Sequence, residues 1–486
     1  MALVMLSFGP FQLDERSRAL FRNDERVAIT DRQGRLLQLL AAHPGVIVSK
    51  DALVAAGWGE IAVTDNSVEK AICLLRRVLG HRPDGGGYIE TVPRQGYRFV
   101  GDSRRVAARG SPATIDAWLA APRRWQEGRT ALEALTCEQL PRAQRAFRHL
   151  VALSPDDPPA HIGLANACAF QFESTRIDRM PDHAALREAQ QHADEACRLD
   201  PDSAEGWATL AFVLHGAGDA DRALAAARRA VSLEPANWRH TLRLAVVSWG
   251  DVRLRAAGRT LQLLPGLGLA HWLAATVHVA RLALDAAMRE LDKGVAVQDG
   301  HLESQGAFGG VGLHWLRGLL QLHAGDHDAA AESLQRELAL ERAGHLYSRE
   351  SCANAWYAIG AMHVRAGARD EALTAFDEAL RRVEGHPLAL AAGAALGRST
   401  SSSPTDPRAP ITPATVTTSV DEMLARAVRD TWHGGSAQAA SVVFETLAQT
   451  APGSAGWIIP IEPMLRVTDQ PELWNPVLTL LRTRAI

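Results

Sequence analysis

The sequence predicts two unlike parts, a small α+β domain followed by an all-α array of helix pairs. Short apolar runs separated by polar clusters crowd the front of the chain, which is the pattern of short strands. Beyond Arg105 the chain is rich in Ala and Leu with almost no strand pattern, and there small and bulky residues recur at the spacing of a repeat of about 34 residues.

Composition agrees with a globular chain. Of 486 residues, 47% are apolar and 22% charged, which excludes wholesale disorder and fibrous repetition. The net charge of −3 is unevenly placed: up to Arg105 there are 15 Lys+Arg against 12 Asp+Glu, and beyond it 37 against 43. A mildly basic head on an acidic body is compatible with a nucleic-acid contact at one end. Five scattered cysteines without a C-x-x-C pair point to neither a disulfide framework nor a zinc cluster, so a cytoplasmic location is expected. Met1–Phe8 is followed too soon by Asp14, Glu15 and Arg16 to be a signal peptide. Thr260–Ala280 carries no charge over 21 residues, but Pro265-Gly266 splits it and Gln262, His271 and His278 are costly in lipid. Two buried helices joined by a turn are expected there, and no membrane contact.

The head can be justified element by element. Residues 6–29 read as short antiparallel strands. Thr30-Asp31-Arg32-Gln33 has capping-box spacing, and Leu36, Leu37 and Leu40 follow on one helical face until His43-Pro44-Gly45. Ser49 caps a short helix, Lys50–Ala56, stopped by Gly57, and a third helix runs from Asn66 to Leu79 with Gly80 as its stop. Ile89–Val92 and Tyr97–Val100 alternate around Pro93-Arg94-Gln95-Gly96, a terminal hairpin. Strands, three helices and a hairpin describe a winged helix-turn-helix. At 100° per residue, Val68, Ile72, Leu75 and Leu79 share one face of the third helix and must point inward. The opposite face presents Asn66, Lys70, Cys73 and Arg77, with Leu74 beside them and Arg76 on a flank. Such a face suits the major groove, where Asn and Lys reach base edges and an apolar side chain meets a thymine methyl.

T-D-N-S-V-E-K-A-I-C-L-L-R-R-V-L-G (64–80) followed by Y-I-E-T-V-P-R-Q-G-Y-R-F-V (88–100) resembles the C-terminal effector domain of OmpR/PhoB-type regulators, in the version found in CadC- and ToxR-like proteins. The resemblance covers roughly residues 5–102 and implies DNA binding. It places Asn66, Ser67, Lys70, Cys73 and Leu74 on the base- and phosphate-facing side of the recognition helix. Arg94 falls in the wing, Tyr97 beside it, and Thr91 leads into it, with Arg94 directed to the minor groove. Arg76, Arg77 and Trp58 are expected on phosphates. The loop Gly57–Thr64 corresponds to the segment that contacts RNA polymerase in the resembled family, and paired binding of two heads on DNA is also implied. Cys73 and Leu74 stand where many relatives carry Arg or other polar residues, so a target sequence does not transfer.

In the body, Trp207, Leu210, Ala211, Leu214, Ala223, Ala227, Ala230 and Pro235 reproduce a tetratricopeptide (TPR) repeat, and Trp356, Ile359, Gly360, His363, Ala372, Phe376 and Ala379 do so again. Partial copies run through Ala143, Phe147, Leu150 and Pro155; Ala189, Ala193, Ala196 and Pro201; and Ala440, Phe444, Leu447 and Pro452. Small residues let paired helices approach while one bulky residue fills the gap between them. Extra residues enter near Phe170–Pro181, and Pro235–Leu302 keeps helical periodicity while losing the consensus. The expected domains are 1–104, a winged helix; 105–120, a linker; 121–398, a TPR-like solenoid; 399–419, a Ser/Thr/Pro-rich linker; and 420–486, further TPR-like helices and a cap. A winged helix followed by TPR repeats resembles the architecture of HilA-like regulators and implies transcription control.

The body is expected to bind a protein or small-ligand partner. His271, Trp272, His278, His314 and Trp315 are candidates for a pocket, although residues of these types at helical spacing more often pack. His161, His192 and His278 lack the spacing of a metal site. No motif of a nucleotide-binding loop, zinc protease or serine hydrolase occurs, so no enzyme and no cofactor is expected. The alternative is a TPR scaffold or chaperone whose head no longer binds DNA specifically.

Overall fold

The computed structural model describes residues 4–15, 18–23, 25–27, 29–58, 65–93, 95–107, 112–303, 312–397, 420–451 and 453–486. The expected strands form a meander: β1 (Val4–Phe8), β2 (Phe11–Asp14), β3 (Leu20–Arg22) and β4 (Glu25–Val27). Registers Leu6↔Leu13 and Leu13↔Leu20 put one set of side chains on the same face, so Leu6, Phe8, Phe11, Leu13 and Leu20 enter the head core together. Helix α1 (Asp31–Ala41) begins with the expected capping box: the Thr30 hydroxyl accepts from the Gln33 N–H at 3.2 Å, and the Gln33 side chain accepts from the Thr30 N–H at 2.8 Å.

A two-residue strand β5 (Ile47–Val48), absent from the sequence reading, precedes α2 (Lys50–Trp58) and α3 (Asp65–Leu79). Strand β5 joins β6 (Ile89–Val92) and β7 (Gly96–Phe99) in a sheet of order β5-β7-β6. Gly96 is required at this join, because at φ +136° a Cβ there would lie 2.1 Å from the Val48 carbonyl oxygen. The first sheet has order β4-β3-β2-β1-β8, in which β8 (Arg104–Ala107) pairs antiparallel with β1. The stretch 105–120, expected as a linker, thus holds most of β8 and the start of the helix Pro112–Glu133.

The chain divides into two compact units, residues 1–130, 142–164 and 195–201 in one and 131–141, 165–194 and 202–486 in the other. In the first, buried Phe147 is wedged between glycines: a Cβ on Gly128 or Gly163 would come within 2.7 or 2.3 Å of its ring. Trp125 meets the same ring edge-on at 5.4 Å.

The second unit contains the two expected TPR-like pairs, Ala204–Gly216 with Ala220–Leu233 and Ser348–Arg365 with Arg369–Arg382. Ser203 and Asp219 cap the first pair through the N–H groups of Gly206 and Arg222. Gly360 lets buried Phe376 close in, since a Cβ there would sit 2.4 Å from the ring. Between these pairs lie Trp238–Val247, Gly250–Leu263, Gly268–Ala280, Leu284–Glu303, Leu313–His323 and His327–Ala339. The irregular middle therefore keeps helix pairs, and Thr260–Ala280 is two helices across a turn, as expected. Among the described residues no helix is long and apolar enough to cross a membrane.

The inserted segment after the helix Pro158–Thr175 contacts a distant part of its own unit. Arg176 pairs with Glu350 at 2.5 Å, and Arg349 pairs with Asp178 at 2.8 Å and donates to the Ser174 carbonyl at 2.6 Å. At the far end, Trp474, Met464 and Leu465 fill the interior beside Val420–Trp432 and Ser436–Gln449. Phe444 does not take the gap-filling place its spacing suggests and is 38% exposed. The expected linker 399–419 lies outside the described residues.

Candidate nucleic-acid interface

Helix α3 splits as the helical wheel requires. Val68, Ile72, Leu75 and Leu79 are buried in the head core, while Lys70, Cys73 and Arg77 are exposed and Leu74 is 39% exposed. The inward residues are β-branched or long aliphatic groups one turn apart, so the core grips α3 along its length and fixes its rotation. Four predicted residues, Lys70, Cys73, Leu74 and Arg77, are thereby brought together on one open face. The side chains of Trp58, Asn66 and Ser67, all of Arg94, and the loop positions 59–64 lie outside the described residues.

Arg76 is placed differently from its neighbours. Its Nε donates to the Ile89 carbonyl at 3.0 Å and its Nη2 to the Thr91 hydroxyl at 2.8 Å, while its guanidinium sits 5.9 Å from the centre of the Tyr97 ring. Arg76 therefore ties α3 to both strands of the wing, where the sequence reading had it on a phosphate. Tyr97, expected beside the DNA, is only 4% exposed and belongs to the head core. Its place on β7, opposite Thr91 in the register, turns the ring inward under Arg76. Thr91 is exposed and serves as an acceptor for Arg76.

Two further ion pairs shape this surface and were not foreseen. Arg98 and Glu90 pair at 2.7 Å across the wing, and Lys50 of α2 pairs with Glu69 of α3 at 2.9 Å. Both join positions distant in sequence. The cross-strand pair could have been found from the hairpin register, in which residues 90 and 98 are partners.

The pocket candidates in the body are engaged in packing. His271 Nδ1 meets Glu290 at 2.7 Å, and that hydrogen bond holds the Glu290 carboxyl down at about 2. His314 Nε2 meets Asp299 at 3.1 Å, and burial pushes this imidazole's pKa down. Trp272 packs edge-on against Trp457 at 6.0 Å, Trp315 is buried, and His278 is half-buried with its pKa lowered by burial. His161 Nε2 lies 2.7 Å from the Pro155 carbonyl. Among the described residues no group of three or more His, Cys, Asp or Glu is disposed to hold a metal.

Comparison with known proteins bears on the head. The transcriptional regulator HilA of Salmonella typhimurium is 36% identical over 95 residues, 20% of this chain and 16% of HilA. The cholera toxin transcriptional activator of Vibrio cholerae is 31% identical over 99 residues, 19% of this chain and 34% of that protein. The chain thus matches a minor part of these relatives' length. The solved DNA-binding domain of CadC from E. coli is 27% identical, with a TM-score of 0.19, and the match covers 22% of this chain and 98% of that one. Residues 24–99 match the family described as "Transcriptional regulatory protein, C terminal".

Proposed function

We propose that this chain is a transcriptional regulator whose head binds promoter DNA and whose helical body takes a protein or small-ligand partner. One observation carries the reading: the open face of α3 gathers Lys70, Cys73, Leu74 and Arg77 opposite four buried aliphatic side chains, beside a wing that Arg76 holds in place. A helix presented in this way has the dimensions of the major groove, and its Lys and Arg can reach base edges or phosphates. Asn66 and Ser67 at the start of α3 belong to the same proposed surface, Arg94 at the wing tip to the minor groove, and Trp58 to the backbone. The family match and the similarity to two transcriptional regulators support this assignment. Arg76, Thr91 and Tyr97 act in this reading by fixing the wing against the helix. Contact of the loop 57–64 with RNA polymerase and pairing of two heads on DNA are parts of the same proposal, as are a cytoplasmic location and the absence of catalysis.

A mobility-shift series across salt concentrations, using fragments of the source genome, tests the reading. Retention of particular fragments, weakened by Lys70→Ala or Arg77→Ala and falling linearly in logarithm with salt, is the expected outcome. Weak retention indifferent to sequence and to both substitutions would leave the body as a scaffold and the head without its role.

A further inference from the structure

The helix pairs of the second unit and its inserted segment make their contacts by different means. Paired helices are held by apolar packing, Gly360 against Phe376 for example, or the buried stripe Ala223, Ala227 and Ala230 of Ala220–Leu233. The segment 173–179 lies in the extra stretch of the repeat pattern and turns polar side chains to residues far along the chain, Arg176 meeting Glu350 across 174 positions.

Arg176 is shared between Glu350 at 2.5 Å and Glu173 at 3.1 Å. Arg349 is shared between Asp178 at 2.8 Å and the Ser174 carbonyl at 2.6 Å. The Tyr347 hydroxyl donates to Glu173 at 3.3 Å. Arg179 reaches Glu384 at 3.5 Å, and its stem lies against Gly385, where a Cβ would come within 3.1 Å of it. Backbone joins the same edge, since the Leu346 N–H donates to the Leu135 carbonyl at 2.7 Å beside a bridge between Thr136 and His345.

This seam links two places separated by the helices from His183–Leu199 to His327–Ala339. In a stack of repeats each pair adds a small rotation to the last, so pinning two remote points fixes the curvature between them, and freeing them lets small changes add up. The pinning groups release easily. The side chains of Arg176 and Arg349 are each 38% exposed, and those of Glu350 and Asp178 27% and 33%, so water and salt reach both pairs. Salt screens charge and has no such effect on apolar burial.

We propose that the segment 173–179 is a clasp, which holds the two ends of this run of helices together through Arg176, Arg349 and their partners and opens while the helix pairs stay folded. The inference concerns the body alone and goes beyond the reading of the head as a DNA-binding domain. What releases the clasp is charge, either screening by salt or loss of one member of a pair.

Hydrogen exchange of the full chain, resolved to single amides by fragmentation mass spectrometry, tests this, because the Leu346 N–H is itself a bond across the seam. The mid-helix amides of Ala227 and Ala379 serve as the comparison. Between about 0.05 and 1 M sodium chloride, the Leu346 amide should come to exchange about tenfold faster while Ala227 and Ala379 are unchanged. Arg176→Glu should give the same acceleration at low salt, and the double change Arg176→Glu with Glu350→Arg should reverse it. Arg349→Gln, which removes the other pair, takes the place of the charge reversal if that variant does not fold. A Leu346 amide indifferent to salt overturns the clasp, as does one that accelerates only together with Ala227 and Ala379, or a double change no slower to exchange than Arg176→Glu alone. DNA retention measured on the same samples reports on the head separately.

Discussion

The outward face of α3 and the interior of the helical body treat polar side chains in opposite ways. On α3, Lys70, Cys73 and Arg77 are exposed, while Val68, Ile72, Leu75 and Leu79 are buried in the head core. In the body, Glu337, Glu462, Arg253 and His386 are buried and each is spent on a structural bond. Glu337, for example, accepts from the N–H groups of Gly312 and Trp315 and caps the helix Leu313–His323. A charged residue on the open face of α3 can therefore change without disturbing the fold, whereas each of these four body residues is a strut.

This contrast can be broken or sharpened by measurement. The largest effect is expected in the body interior. Phe376→Ala should cost about 3–5 kcal/mol, because the ring fills the space left by Gly360 and the paired helices cannot collapse onto the void; urea unfolding followed by helical circular dichroism reads it. A loss under 1 kcal/mol, roughly that of an exposed position, would erase the distinction between strut and surface.

Next in size is the pH dependence of Glu337. Burial pushes its carboxyl up to about 7, above the value of an unfolded chain, so the protonated form is the one the fold prefers. Its contribution is fully present below the unfolded pKa, is lost as pH rises through about 7, and amounts to an effect of the order of 3 kcal/mol. The stability of the unaltered chain relative to Glu337→Gln should accordingly fall between pH 5 and pH 8, and a pH-independent difference contradicts the assignment.

Arg76→Ala should be intermediate. Losing its two bonds to the wing should destabilise the head by about 1–3 kcal/mol and weaken DNA retention through misplacement of the wing. Hydrogen exchange at the amides of 89–99 checks the structural part. Lys70→Ala should be the smallest for stability, within about 0.5 kcal/mol, and should lower DNA affinity by about tenfold with a salt slope reduced by about 1. A Lys70→Ala chain that melts early would show that α3 is packed differently.

Much of this was legible in the sequence where one periodicity sufficed. The capping box at Thr30, the stop at Gly80 and the inward stripe of α3 depend on residues within a few positions of one another, and the structure reproduces each. Legibility failed where the deciding partner is remote. Strand β8 forms because the edge of β1 is available about a hundred residues earlier, and β5 because Gly96 lets β7 approach Val48. Arg76 and Arg77 are neighbours of one type, and only the position of the wing makes the first a tether and leaves the second exposed. Phe444 and Phe376 occupy matching places in the repeat pattern, yet one is exposed and the other buried.

By itself, then, the amino-acid order determined the kinds of element, their succession and the two faces of α3, because helix and strand periods are set by the backbone and by neighbouring side chains. The tertiary structure alone decided which polar groups are consumed and which stay open. That outcome depends on whether a donor meets an acceptor from a remote segment, and burial makes an unmet donor costly enough to matter.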